Sequence, residues 1–172
     1  PFGLGWSLGL ATISRKTEKQ LPLYDEGHEA DIYILSGSKD LVPIATELIN
    51  GDRVTTYRPR TVSAFSRIQR FERGDRVWWQ TIAPDNTRRW FGVYPEPDGT
   101  ISPSSFSSDL TVHDSENPTR IFSWLLCEER DDKGNRTRYV YKAEDRHNIP
   151  SQYEHEANRH TSVSQRYIKR IF

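Results

Sequence analysis

Two extended stretches of this chain carry large apolar side chains on both faces, and no other feature limits the fold so tightly. Phe122, Trp124 and Leu126 alternate with Ile121, Leu125 and Cys127, and positions 77 to 82 likewise set Trp78 against Trp79. Successive side chains of a strand point to opposite faces, so strands of this kind must be covered on both. Little of the chain has the helical spacing that could supply the cover. The sequence therefore predicts a wall whose second face is covered by further protein. A short buried helix over 121–128 is the alternative.

Turn signals divide the rest. Asn50-Gly51, Glu72-Arg73-Gly74-Asp75, Pro84-Asp85-Asn86 and Asp131-Asp132-Lys133-Gly134-Asn135 each separate two apolar stretches. Asn, Asp and Gly tolerate the left-handed backbone that tight hairpin turns require. Strands are expected over 30–35, 41–44, 64–71, 76–82, 87–94, 120–130 and 136–143, with a short extended unit at 21–24. The stretch 45–49 is ambiguous. On the last hairpin Tyr139 and Tyr141 share a face opposite Arg138 and Lys142. The region 95–118, rich in Ser, Pro, Asp and Gly, reads as a long surface loop with one short strand near 110–112. Two units resemble each other: Trp79, Asp85-Asn86, Trp90 and then Trp124, Asp131 to Asn135, Tyr139 and Tyr141. Each is an aromatic strand, a polar turn and an aromatic strand. The fold class that follows is mainly β, built of antiparallel hairpins and meanders with little helix.

Composition bounds the function. Aromatic residues make up 12% of the 172, including five tryptophans, which excludes a disordered chain. Apolar residues are only 34%, so the chain is expected to fold yet to need neighbours to complete its burial. Lys plus Arg and Asp plus Glu both number 24, and this zero balance argues against a nucleic-acid partner. Cys127 is the single cysteine, which rules out an internal disulfide and a thiolate metal cluster. No apolar run approaches the roughly 18 residues of a spanning helix, so no membrane insertion is expected. The opening at Pro1, and a final strand-like run from Tyr167 to Phe172, read as a chain cut from something longer.

Several stretches echo catalytic patterns, and none converges. His155-Glu156 and His160 echo a zinc-protease helix, but a spacing of five swings the second histidine about 100° off the face that binds metal. Glu154-x-Glu156 echoes the paired glutamates of ADP-ribosyltransferases without their Ser-Thr-Ser strand. His113, Asp114 and Ser115 have the residue types of a hydrolase triad, yet adjacent positions cannot converge. His28 and His147 read as surface histidines. Cys127, apolar-flanked beside Glu128 and Glu129, reads as an inert core thiol. Arg58, Arg60, Arg67, Arg70, Arg73 and Arg76, interleaved with Tyr57, Phe65 and Phe71, form a nucleic-acid footprint in miniature. Pairing of these arginines with carboxylates of adjacent strands is the favoured reading. No catalytic residue, cofactor or metal is expected.

Several stretches carry a family resemblance. Gly3, Gly5 and Trp6 in Pro1-Phe2-Gly3-Leu4-Gly5-Trp6-Ser7, then Arg15-Lys16-Thr17 and Leu21-Pro22-Leu23-Tyr24-Asp25, resemble the opening of the SpvB domain family. Asp40-Leu41-Val42-Pro43, Tyr57-Arg58-Pro59-Arg60-Thr61 and the run from Arg120 through Trp124 to Leu126 continue the likeness. Asp132-x-Gly134-Asn135 with trailing Tyr139 and Tyr141 is similar to the turn of RHS or YD repeats. Gln20 stands where the pattern has Gly, and 83–118 matches loosely. The family includes the Salmonella virulence plasmid B protein and the B components of insecticidal toxin complexes. The resemblance implies that 1–172 is an N-terminal B-type domain, truncated at one or both ends, within an RHS-like β-sheet shell. It implies a secreted, non-catalytic role in encapsulating and delivering a toxic polypeptide. The implied partners are the remainder of its own B-type polypeptide, a C-type toxin subunit and, through other domains, an A-type pore-forming component. Two alternatives stay open: an accessory N-terminal region of an ADP-ribosyltransferase virulence protein, and a receptor- or glycan-binding β-domain using exposed Trp and Tyr and the long loop.

Overall fold

The computed structural model describes residues 8–18, 21–24, 31–36, 39–60, 66–144 and 165–172. Its strands are β1 (Thr12–Arg15), β2 (Tyr33–Leu35), β3 (Lys39–Ile49), β4 (Asp52–Pro59), β5 (Arg67–Arg73), β6 (Arg76–Ile82), β7 (Arg88–Phe91), β8 (Thr111–His113), β9 (Ile121–Arg130), β10 (Arg136–Ala143) and β11 (Arg166–Ile171). All pairings are antiparallel, in the order β1 to β7, then β9, β10 and β11, with β8 on β9. β1 also pairs with β9, through Ile13 opposite Trp124, so the sheet closes on itself. The result is a mainly β, antiparallel structure, as the turn pattern and alternation imply.

Closure explains one face of the apolar alternation. The ring consists of β1 to β7 and β9, and every strand sends at least one large residue into a common interior. These are Ile13, Tyr33, Leu41, Tyr57, Ile68, Trp79 and Phe91 in strand order, then Trp124 and Leu126 from β9. A small barrel has just enough room for such side chains to fill it. Tyr33 lies at the centre, edge-on to Trp79 at 5.0 Å, to Trp124 at 5.8 Å and to Tyr57 at 6.0 Å between ring centroids. Edge-to-face pairs of this kind add about 0.5–1.5 kcal/mol each beyond area burial.

The second face is covered by the chain itself, which corrects the expectation of an external body over β6 and β9. Trp78, Trp90 and Val93 form a cluster outside the barrel, packed beneath Phe71, Ile101 and Phe106. Leu125 and Cys127 pack with Leu110 and Tyr141, and Ile168 of β11 joins them. The cover is the 95–118 region, expected as a surface loop. It contains two 3-10 turns, Pro103–Ser105 and Ser108–Leu110, before β8. Pro95, Ser105, Leu110 and Thr111 in it are buried. Few apolar residues suffice there because Phe106 and Leu110 each cap a cluster that the strands already supply. The helix alternative at 121–128 does not occur.

The ambiguous 45–49 stretch is the distal half of β3, held in register with β4 from Ala45 opposite Thr56 to Ile49 opposite Asp52. Asn50 and Gly51 close the hairpin with φ of 53° and 87°, the left-handed pair a two-residue turn needs.

Candidate functional site

Ionisable groups are drawn into two buried constellations, one inside the barrel and one outside it. Inside, alternation along β1 aims Arg15 to the same face as Ile13, and only 4% of it is exposed. Its Nη1 donates to Asp31 at 2.7 Å and its Nε to the Ile121 carbonyl at 2.8 Å. Asp31 also accepts the Leu23 and Tyr24 amides, at 2.9 and 3.0 Å. The Arg15 guanidinium lies 5.0 Å from the Tyr24 ring centroid, 5.2 Å from Tyr33 and 5.8 Å from Trp124. Arg70 approaches Tyr33 at 5.6 Å and pairs with Glu72. Lys16, on the other side of the strand, bonds Asp40 at 2.9 Å and Glu18 at 2.7 Å, and these bonds raise its pKa. Thus Arg15, read from sequence only as a family marker, and Trp124, read also from strand alternation, meet in one ring-walled site.

Outside the barrel, Glu128 is fully buried and ion-paired at both oxygens. Arg130 Nε donates to Oε1 at 2.6 Å and Arg138 Nε to Oε2 at 2.9 Å. Arg130 stacks on Trp90 and also donates to the Glu96 carbonyl at 2.7 Å, tying the 95–118 region down. Arg138 stacks on Tyr94, whose hydroxyl donates to the Tyr139 carbonyl at 2.6 Å. The Tyr141 hydroxyl donates to Leu126. Burial raises the pKa of both Tyr94 and Tyr141 well above the ordinary phenol range, so they stay neutral donors. None of Asp31, Glu72, Glu128 or Arg138 was read from sequence as a site residue. The spacing of Glu128 and Arg130, two apart on one strand, was the available signal.

The turn before β10 is organised by Asp131, not by the Asp132 of the repeat-like motif. Asp131 accepts the Lys133 and Asn135 amides at 2.9 and 2.8 Å and the Asn135 side chain at 2.6 Å, while Asp132 is exposed. The Asn135 side-chain bond leads in holding its carboxyl below the usual range. Gly134 supplies the positive φ, at 87°.

The other candidates stay apart. His113 meets Thr111 through Nδ1 at 3.1 Å, and Asp114 points to Arg120 at 3.6 Å, so no triad forms with Ser115. Cys127 is fully buried, its thiol pushed up to about 12 chiefly by burial. In the arginine-rich stretch, Arg73 grips Asp52 at 2.5 and 2.7 Å, Arg53 faces Glu72 at 3.5 Å, and Arg76 reaches the Pro103 carbonyl at 3.2 Å. Trp78, Trp79, Trp90 and Trp124 are all buried, against the glycan-binding alternative, which needs exposed tryptophans. Gly3, Gly5, Trp6, His28, His147, Glu154, His155, Glu156 and His160 lie outside the described residues. Among the described residues no group of three or more His, Cys, Asp or Glu could hold a metal. No helix among them is long and apolar enough to cross a membrane.

At one mouth of the barrel a cavity of about 370 Å³ has Phe91, Leu126 and Tyr139 in its wall, together with Thr81 and the 2.6 Å Arg89–Glu129 ion pair. It holds no convergent nucleophile and base.

Comparison with known proteins places this architecture. The family model described as Salmonella virulence plasmid 65kDa B protein matches residues 1–172. A mono(ADP-ribosyl)transferase SpvB from Salmonella typhimurium is 25% identical over 184 residues, covering 99% of this chain and 29% of that protein. The chain therefore spans under a third of that relative. The N-terminal domain of effector protein SpvB from Salmonella typhimurium strain LT2 superposes with a TM-score of 0.79 at 22% identity, over 99% of this chain and 53% of that one. A TcdB2-TccC3-Cdc42 crystal structure matches with a TM-score of 0.76 at 26% identity, over 97% of this chain and 8% of the other. A Photorhabdus luminescens Tc holotoxin pore gives 0.74 at 26% identity with the same coverage.

Proposed function

Because the chain belongs to the SpvB family, we propose that it is a structural unit in the β-sheet shell of a secreted bacterial toxin, encapsulating and helping to deliver a toxic polypeptide without a reaction of its own. The observation that carries this reading is that 97% of the chain superposes on a small part, 8%, of a TcdB2-TccC3 chain at 26% identity. The chemistry supports it. The buried Arg15, Asp31 and Glu128 and the partly buried Arg130 bond one another or the backbone, an arrangement that locks strands together. In this role the unit works with the remainder of its own B-type polypeptide and a C-type toxin subunit, and reaches an A-type pore-forming component through other domains. It inserts into no membrane and binds no nucleic acid.

The test replaces this unit within a B-type polypeptide, co-expresses it with its C-type partner, and follows protease resistance of the toxic region. Loss of resistance on disrupting the barrel is expected; unchanged resistance would overturn the shell role.

One observation favours a second reading. The curated relative is named a mono(ADP-ribosyl)transferase, of which this chain spans 29%. As an accessory region of such an enzyme, the chain would consume no NAD alone but would alter transferase turnover or stability when deleted. The glycan-binding alternative loses support because the four described tryptophans are buried.

A further inference from the structure

We propose that the outer edge of β3, from Ala45 to Ile49, is a strand-addition surface that takes an aliphatic β-strand from another part of a longer B-type polypeptide. β2 covers β3 only at Lys39, Asp40 and Leu41. From Val42 onward β3 is paired with β4 on one side alone among the described residues. Edge strands are normally blunted by charges, prolines, bulges or covering segments; β3 has Pro43 and a register shift between Pro43 and Ala45 toward its β2 end, and neither device from Ala45 to Ile49. Residues 42 to 50 contain no Lys or Arg, and their only charge is Glu47. They do contain large aliphatics in the open: Leu48 is 77% exposed, and Val42, Ile44 and Ile49 are exposed too. The register puts Ile32, also exposed, level with Val42, so the apolar strip runs past the hairpin onto the approach to β2.

The backbone is set for pairing. Across a two-residue turn, Ile49 and Asp52 form the hydrogen-bonded pair, and the antiparallel ladder then alternates. Thr46 and Leu48 therefore turn their N–H and C=O groups away from β4 toward the open edge. The outer faces of β6 and β9 are covered by this chain's own segments, whereas no described residue covers this edge. The superposed relatives carry the barrel inside longer chains, of which it covers 53% and 8%, so the same polypeptide has further chain from which a strand can be drawn. Aliphatic residues facing Leu48 and Ile49 would complete the match.

This inference rests on the shell reading, and the test separates the two. Hydrogen exchange at the Thr46 and Leu48 amides is compared between this chain and a longer polypeptide joining it to the remainder that SpvB relatives carry. Slowing of about 100-fold or more in the longer polypeptide is expected. Leu48→Pro, which removes an outward N–H and spares the β4 ladder, should return the Thr46 amide to fast exchange. Equal exchange in both polypeptides overturns the proposal. So does protection in this chain alone that rises with its concentration, since the occupant is then a second copy. Protease protection of the toxic region in the same longer polypeptide reports on the shell: if it persists while the edge stays unprotected, only strand addition fails.

Discussion

Gly92 lies against the indole of Trp124 so closely that a Cβ on it would come 2.5 Å from Cδ1. Its φ is +76°, so the backbone there is also one that residues with a side chain rarely adopt. The glycine ends β7 and lets the chain turn out of the barrel, while its amide donates to the Leu125 carbonyl at 3.0 Å. Interior and cover are joined at this point.

Gly92→Ala is therefore expected to destabilise by about 2–4 kcal/mol, combining overpacking against a buried ring with a left-handed penalty. Urea unfolding measures it. Gly74→Ala, also at positive φ but with open space where the Cβ would go, should cost no more than the left-handed term of about 1–2 kcal/mol. Equal losses would show that the Trp124 contact is unimportant.

The two interior tryptophans should respond differently to Phe. Trp124 Nε1 donates to the Val77 carbonyl at 2.9 Å, whereas Trp79 Nε1 has no hydrogen-bond partner among the described residues. Trp124→Phe leaves a carbonyl short of a donor, and should cost about 1 kcal/mol more than Trp79→Phe. Paired chemical melts decide it.

Removing charge from Glu128 strands two arginines. Glu128→Gln is expected to lose about 3 kcal/mol, in the range for breaking a buried pair, and to loosen residues 95–97 by weakening the hold on Arg130. Arg53→Ala, whose partner is 3.5 Å away and whose side chain is largely exposed, should cost less than about 1 kcal/mol. A similar loss from both would remove the case for Glu128 as the lock on the cover.

His113 supplies a pH dependence. Its pKa is held below the ordinary 6.5, first by burial and then by Arg166. Between 6.5 and the lower folded value the unfolded chain binds a proton that the folded chain refuses, so stability falls as pH drops through this window. Above 6.5 the contribution is complete. Melting temperature followed from pH 8 to 5 should show a decline that His113→Gln reduces; a variant with the same slope would sink the assignment.

Local rules made much of this fold legible. Alternation placed Ile121 to Cys127 and Val77 to Ile82 in strands with two apolar faces, and Asn50-Gly51 marked a hairpin because few residues adopt that backbone cheaply. The Asp131 to Asn135 turn was equally plain, although which aspartate accepts the amides depended on backbone direction. The family likeness was likewise carried in short ordered stretches such as Arg15-Lys16.

What covers the second face was decided by tertiary structure. Period-two alternation states that both faces are buried and is silent on the source, because a wall strand and a barrel strand under a strap have the same pattern. Only the pairing of Ile13 with Trp124 closes the ring, across more than a hundred residues of chain. Only closure brings Phe106 over Trp78 and Leu110 beside Cys127. The Arg15 cage and the Glu128 lock are likewise products of long-range register: their partners are neighbours in space through strand pairing, which no local spacing encodes.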